Sequence, residues 1–224
     1  MCGRYTLGRS TKDILQRYAV QQSLFEMSPR YNIAPSQMVP VVLNDDGTRV
    51  LQGFKWGLIP FWVKDLSKSK PLINARAESL GEKPSFKQAL VRRRCIIPAD
   101  GFYEWKGQAP HRTPVYIKRR DGEPFGFAGL WERWTSADGE VVMSCAIITV
   151  TPNQLMSEIH NRMPAMLERA DEDTWLDAGI KDTEKLLSVL KPYPDSEMEA
   201  YPVSRKVNSP ATDTAECIEP TAVL

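Results

Sequence analysis

Apolar stretches cut at intervals by Asp-Gly turns constrain this chain more than any other feature it carries. Met38–Leu43 and Thr48–Phe54 flank Asn44-Asp45-Asp46-Gly47. That is the pattern of a β-hairpin, since glycine accepts the positive φ that such a turn demands. Asp121-Gly122 and Asp138-Gly139 mark turns in the same way around further strands predicted at Pro114–Lys118, Phe125–Trp131 and Val141–Val150. Helical spacing is confined to short pieces. Ser10-Thr11 precede Ile14, Leu15, Tyr18 and Ala19, which predicts an amphipathic helix with a hydroxyl N-cap. Ser85–Leu90 reads as a helix running into Arg92-Arg93-Arg94, and a short helical stretch ends at His160. Helices near Asp171–Ala178 and Thr183–Leu190, then a strand around Glu199–Ser204, read as a cover layer. Leu72–Arg76 reads as extended, so Asn74 and Arg76 share one face by the period of two. With 224 residues and no repeat or long linker, one domain over residues 1–224 is expected.

No apolar run reaches the length of a signal peptide core or a membrane span, so a soluble, intracellular, cytoplasmic protein is expected. Cys2, Cys95, Cys145 and Cys217 form no C-x-x-C pair. Neither a zinc site nor a disulfide framework is therefore indicated, and no metal or cofactor is expected. The net charge is only +1, but it is unevenly placed. Residues 1–164 hold 23 Lys and Arg against 15 Asp and Glu, whereas residues 165–224 hold 6 against 13. The basic part suits a polyanion, with the acidic part facing away. Solvated faces produce similar asymmetry, so charge alone does not establish nucleic-acid binding.

The chemistry concentrates at the start of the chain. Cys2 becomes N-terminal once Met1 is removed, which puts two nucleophiles on one residue. Their reference pKa values, about 8.5 for a thiol and about 7.7–8.0 for an α-amine, leave both a usable unprotonated fraction near neutrality. An amine and a thiol joined by two carbons capture an aldehyde in succession, first as an imine and then as a five-membered thiazolidine. The plainer alternative is a frayed tail with an incidental cysteine. Gly3 permits close backbone approach to a ligand, and Arg4 adds a fixed positive charge with a fork for phosphate.

Three further places carry candidate roles. Lys55-Trp56-Gly57-Leu58-Ile59-Pro60-Phe61-Trp62 is followed by Lys64, Lys68 and Lys70. Aromatics interleaved with lysines suit unstacked bases and their phosphates, or else the aromatics fill the core and the lysines are solvated. Glu104 stands among Phe102, Tyr103 and Trp105. It either points outwards or is held where desolvation favours proton transfer. His160 precedes Asn161-Arg162-Met163-Pro164 and is either structural or a proton shuttle; His111 belongs to an exposed loop, Ala109–Thr113. No P-loop, G-x-G-x-x-G, G-x-S-x-G or H-E-x-x-H motif occurs.

Six ordered segments together resemble the SOS response-associated peptidase (SRAP) family of abasic-site processing proteins. They are Met1–Arg4, Tyr31–Pro35, Trp56–Pro60, Asn74–Glu78, Cys95–Trp105 and His160–Pro164, and the resemblance runs from residue 2 to about residue 207. It implies a single α+β domain around a curved antiparallel sheet or pseudo-barrel with peripheral helices. It further implies binding to single-stranded DNA, at single-strand/duplex junctions too, and covalent cross-linking to an abasic site. By motif match Cys2 would be the nucleophile, Asn74 would orient its amine, and Glu104 and His160 would handle protons. Arg4, Arg76 and Arg162 would hold phosphates, with Trp62 as a stacking surface. Some relatives carry a second Trp directly after the position of Trp62, where this chain has Val63.

The residue chemistry points the same way. An open abasic deoxyribose presents an aldehyde at C1′, which an N-terminal cysteine captures well, and the departing oxygen needs a proton from a group such as Glu104. Proton removal at C2′ would add lyase activity. Two rival classes fit parts of the pattern. An N-terminal-nucleophile peptidase or amidohydrolase, acting at least on Met1, would use Cys2 with its own amine as base but leaves the basic and aromatic loops without a task. A non-enzymatic single-strand binder would use those loops and be indifferent to Cys2.

Overall fold

The computed structural model describes residues 2–66, 69–108 and 110–221; Met1, Lys68 and Ala109, which enter the sequence reading above, lie outside them. The chain begins with strand β1 (Tyr5–Leu7), helix α1 (Thr11–Arg17), β2 (Gln22–Ser23), β3 (Arg30–Ile33), β4 (Met38–Asp45) and β5 (Thr48–Trp56). It continues with β6 (Asn74–Arg76), α2 (Pro84–Arg92), β7 (Arg94–Ala99), β8 (Gly101–Lys106), β9 (Thr113–Arg119), β10 (Phe125–Thr135) and β11 (Val141–Val150). The last part holds α3 (Gln154–Ser157), β12 (Met163–Pro164), β13 (Met166–Leu167), α4 (Glu172–Leu176), α5 (Thr183–Ser188) and β14 (Met198–Pro202). This is the expected α+β class.

Local chemistry accounts for the element boundaries. At α1 the Ser10 hydroxyl accepts from the Asp13 N–H while the Asp13 carboxylate accepts from the Ser10 N–H, a capping box that satisfies donors the first helical turn leaves open. Asp46 and Gly47 take positive φ (46° and 86°) at the tip of the β4–β5 hairpin. His160 falls three residues beyond the end of α3, in the loop that follows it. The hairpin then closes into a barrel. β5 pairs β4, β4 pairs β7, β7 pairs β10 and β10 pairs β11, all antiparallel; β11 returns to β5 in parallel, with Cys145 opposite Trp56. The Gly57 N–H donates to the Cys145 carbonyl at 2.8 Å, directly after the parallel seam. Phe54, Trp56, Cys95, Ile97, Phe127, Cys145 and Ile147 belong to its buried core.

A second sheet, ordered β14-β9-β8-β1-β3, lies against the barrel. Its strand β1, between β8 and β3, is anchored by Tyr5, whose ring meets Trp56 edge-on at 5.3 Å and Phe127 at 5.8 Å. Residues just before β1 are thereby delivered to the junction between sheet and barrel. The C-terminal segment straps this arrangement from outside. Buried Asn32 shares its Nδ2 among the carbonyls of Val207, Ser209 and Thr212, and Asp213 accepts from the Tyr31 and Asn32 N–H groups and from Arg30 Nε.

The acidic C-terminal part does not simply face away from the basic part. Arg17 forms a two-pronged pair with buried Glu172, Arg49 pairs with Asp173, and Arg30 pairs with Asp213. Part of the charge asymmetry is consumed inside the molecule. No helix among the described residues is long and apolar enough to cross a membrane.

Candidate active site

Cys2 is fully buried where β1 meets the barrel. Two expected partners surround it. Asn74 leads β6, which runs parallel to β11 with Asn74 opposite Ile147, and its Nδ2 donates to the Cys2 carbonyl at 2.9 Å. Asn74 Oδ1 is buried without a hydrogen-bond partner among the described residues, so the amide keeps one acceptor to offer beside Cys2. Glu104 on β8 is also buried, with 4 % of its surface exposed, which settles the outward-or-inward alternative in favour of inward. Burial, and then the Glu104 carboxylate, push the Cys2 thiol far above its usual range. The thiol is therefore held protonated at neutral pH.

The second half of β6 opens onto solvent. Successive residues on one face of a strand lie about 6–7 Å apart, so exposed Arg76 follows Asn74 at that distance on the same side. It borders a cleft of about 770 Å³ whose wall also includes Glu78, Ser79, Lys83, His160 and Arg162. Arg162 is fixed rather than mobile. Its Nη1 and Nη2 meet the two Glu78 oxygens, and Nη2 also donates to the Thr149 carbonyl on β11. His160 Nδ1 lies 3.0 Å from the Arg162 N–H, from which it accepts when unprotonated, and 3.2 Å from the Arg162 carbonyl. Sequence reasoning assigned no role to Glu78, although it closes the Asn74–Glu78 motif. It is the group that orients Arg162, and Arg162 in turn keeps its carboxyl below the usual carboxylate range.

Of the residues expected to contact DNA, Arg4 and Trp62 stand apart from this cleft. Arg4 is half-buried, with Nη1 donating to Asn32 Oδ1 at 2.7 Å and to the Val207 carbonyl at 2.9 Å, and its guanidinium lies 5.9 Å from the Trp105 ring centre. It ties the segment between Cys2 and β1 to the C-terminal strap. Trp62 is 43 % exposed in the loop after β5, edge-on to Phe61, and is not part of the cleft wall. Trp56, from the same aromatic stretch, is a core residue, whereas Phe61 and Trp62 are exposed. His111 is exposed, as expected, and Cys95, Cys145 and Cys217 are buried and unlinked. Among the described residues no group of three or more His, Cys, Asp or Glu is placed to hold a metal ion.

A second-residue cysteine is thus buried at the junction of a barrel and a sheet, next to an arginine-walled cleft between the layers. The sequence model of one family, described as SOS response associated peptidase (SRAP), matches residues 1–210, and the chain belongs to that family. It is 46 % identical over 222 residues to the abasic site processing protein YoqW of Bacillus subtilis (strain 168), covering 98 % of this chain and 99 % of that one. The abasic site processing protein HMCES of Rattus norvegicus is 32 % identical over 235 residues, covering 88 % of this chain and 66 % of that one. A crystal structure of a protein from Bacteroides thetaiotaomicron superposes with a TM-score of 0.89 at 29 % identity, covering 99 % of this chain and 100 % of the other.

Proposed function

We propose that this protein processes abasic sites in single-stranded DNA by covalent capture through Cys2 after Met1 is removed. One observation carries the reading: the residue that becomes N-terminal is buried beside Glu104 with its carbonyl held by Asn74. The names of the relatives, abasic site processing proteins, support the substrate. Because the thiol is held protonated, the amine attacks the C1′ aldehyde first. Glu104 delivers a proton to the carbinolamine oxygen, water leaves, and an imine remains. Sγ then adds to the imine carbon while its proton passes to the imine nitrogen, which closes a thiazolidine. The sum is aldehyde, amine and thiol giving thiazolidine and one water.

The unpartnered Asn74 Oδ1 orients the amine by accepting one of its N–H bonds. His160 assists ring opening of the sugar, and the same base acting at C2′ of the imine would expel the 3′ phosphate, a lyase step that sulfur closure forestalls. Arg76 and Arg162 hold the flanking phosphates, and Trp62 stacks a neighbouring base. Arg4 adds its charge and its hold on the N-terminal strand. Removal of Met1 by the protein itself, in keeping with the peptidase in the family name, would generate the free amine.

The test is incubation with uracil-containing single-stranded DNA, with and without a uracil glycosylase, followed by a denaturing gel. A shifted band that appears only with glycosylase is expected. A peptidase or simple binder would give no shifted band under either condition.

A further inference from the structure

Away from the cleft, a groove of about 410 Å³ is lined by Phe61, Gln88, Arg93, Trp131, Glu132 and Arg133. We propose that it is a second nucleic-acid subsite, which stacks one base of the single strand as the strand leaves the Arg76–Arg162 cleft. The proposal rests on the DNA reading above. Phe61 is 49 % exposed and meets the similarly exposed Trp62 edge-on at 5.0 Å, so the two rings form one exposed aromatic patch beside the groove. Trp131 is half-buried and pinned on its inner side by Phe54, edge-on at 5.6 Å. One exposed and one anchored aromatic side chain in the same groove suit a base, whose flat face stacks whatever its identity. Charge suits the accompanying phosphate. Glu132 is buried and satisfied, accepting from Arg93 Nη2 at 2.8 Å and from the Arg133 N–H at 3.0 Å, so the exposed Arg133 is left as the groove's net positive charge.

Two separate elements measure the distance between the sites, and they agree. Lys83, just before α2, borders the cleft, while Gln88 within α2 and Arg93 just after it border the groove. At 1.5 Å per residue the span from Lys83 to Arg93 is about 15 Å. Along β11, Thr149 receives Arg162 at the cleft, whereas Cys145 and Met143 face Trp131 and Arg133 of the groove. At about 3.3 Å per residue that separation is about 13–20 Å. Such a distance equals about four to six nucleotides at the 3.4 Å spacing of a stacked strand, and fewer once the strand is stretched. Exposed Lys87 and Arg92, four residues on from Lys83 and Gln88, place positive charge along the same helix.

The test compares affinities for intact oligothymidylates of about four and about twelve nucleotides, lengths within the range single-strand folds cover. Intact DNA carries no aldehyde, so the measurement does not depend on the covalent step. Wild-type protein should bind the longer strand much more tightly than the shorter. Phe61→Ala should reduce that ratio about tenfold, Phe61→Trp should keep it, and Phe61→Leu should behave as Ala because it lacks a stacking face. Arg133→Ala should flatten the salt dependence by about 0.7 on the longer strand only. An unchanged ratio in Phe61→Ala, a Leu variant equal to wild type, or equal losses on both lengths would overturn the proposal. Wild-type protein that keeps the length effect yet never cross-links an abasic oligonucleotide would contradict the functional reading while supporting this one.

Discussion

At the scale of single residues, the proposed order of events, amine before sulfur, rests on the burial of Cys2. A thiol raised well above its usual range by burial and by Glu104 exposes little thiolate below about pH 8.5, the ordinary thiol midpoint. Alkylation of Cys2 by iodoacetamide should therefore be slow at pH 7 and still climbing at pH 10, with no plateau near the ordinary midpoint. A fast reaction at neutral pH would show that the thiol is already activated. Glu104→Gln should move two rates in opposite directions. Removing the carboxylate eases thiolate formation and speeds alkylation, while removing the acid slows cross-linking by about 10²–10⁴-fold. If both rates fall together, Glu104 is a packing residue. Glu78 offers a separate check on Arg162, because its carboxylate occupies both guanidinium prongs that a phosphate would use. Glu78→Gln should tighten non-covalent binding several-fold, because the phosphate at Arg162 then no longer competes with a carboxylate. Unaltered binding would make the pair purely structural.

Elements divide into those legible in the sequence and those set by distant partners. The β4–β5 hairpin and α1 were both legible, since a Gly turn and a capping box are written within a few neighbouring residues. Cys2 was legible as a candidate from its position alone, which would put a thiol and an α-amine on one residue once Met1 is removed. The parallel seam between β5 and β11 was not, because it joins Trp56 to Cys145, far apart in the sequence, and leaves no local periodicity. The same holds for Arg4 with Val207 and for Arg162 with Glu78, pairs whose specificity exists only in the folded state. Gly57 marks where the seam turns into the aromatic loop. Its φ is +135°, and a Cβ there would lie 2.8 Å from Pro71 Cβ. Gly57→Ala should therefore cost about 1–3 kcal/mol from backbone strain alone, read as a lower denaturant midpoint. A neutral substitution would mean that the loop relaxes freely and does not fix Trp62.

For the molecule as a whole, the split between basic and acidic parts serves cohesion. Arg17 and Glu172 join the first helix to the C-terminal cover and are nearly shielded from water. Arg17→Ala should cost about 3–5 kcal/mol by leaving a buried carboxylate uncompensated, and Arg17→Met with Glu172→Leu should recover most of the loss. Denaturant unfolding distinguishes the two outcomes, and a single variant as stable as wild type would show the pair to be dispensable.

The central claim is that both functional groups of one residue bond to one carbon of the lesion. Intact mass of the species formed with an abasic oligonucleotide, followed by peptide mapping without any reductant, tests it most directly. The account predicts the mass of protein lacking Met1 plus DNA minus one water, with the modification on Cys2 and none in Cys2→Ala. An adduct that survives only after borohydride reduction, retains Met1, or persists in Cys2→Ala would contradict it.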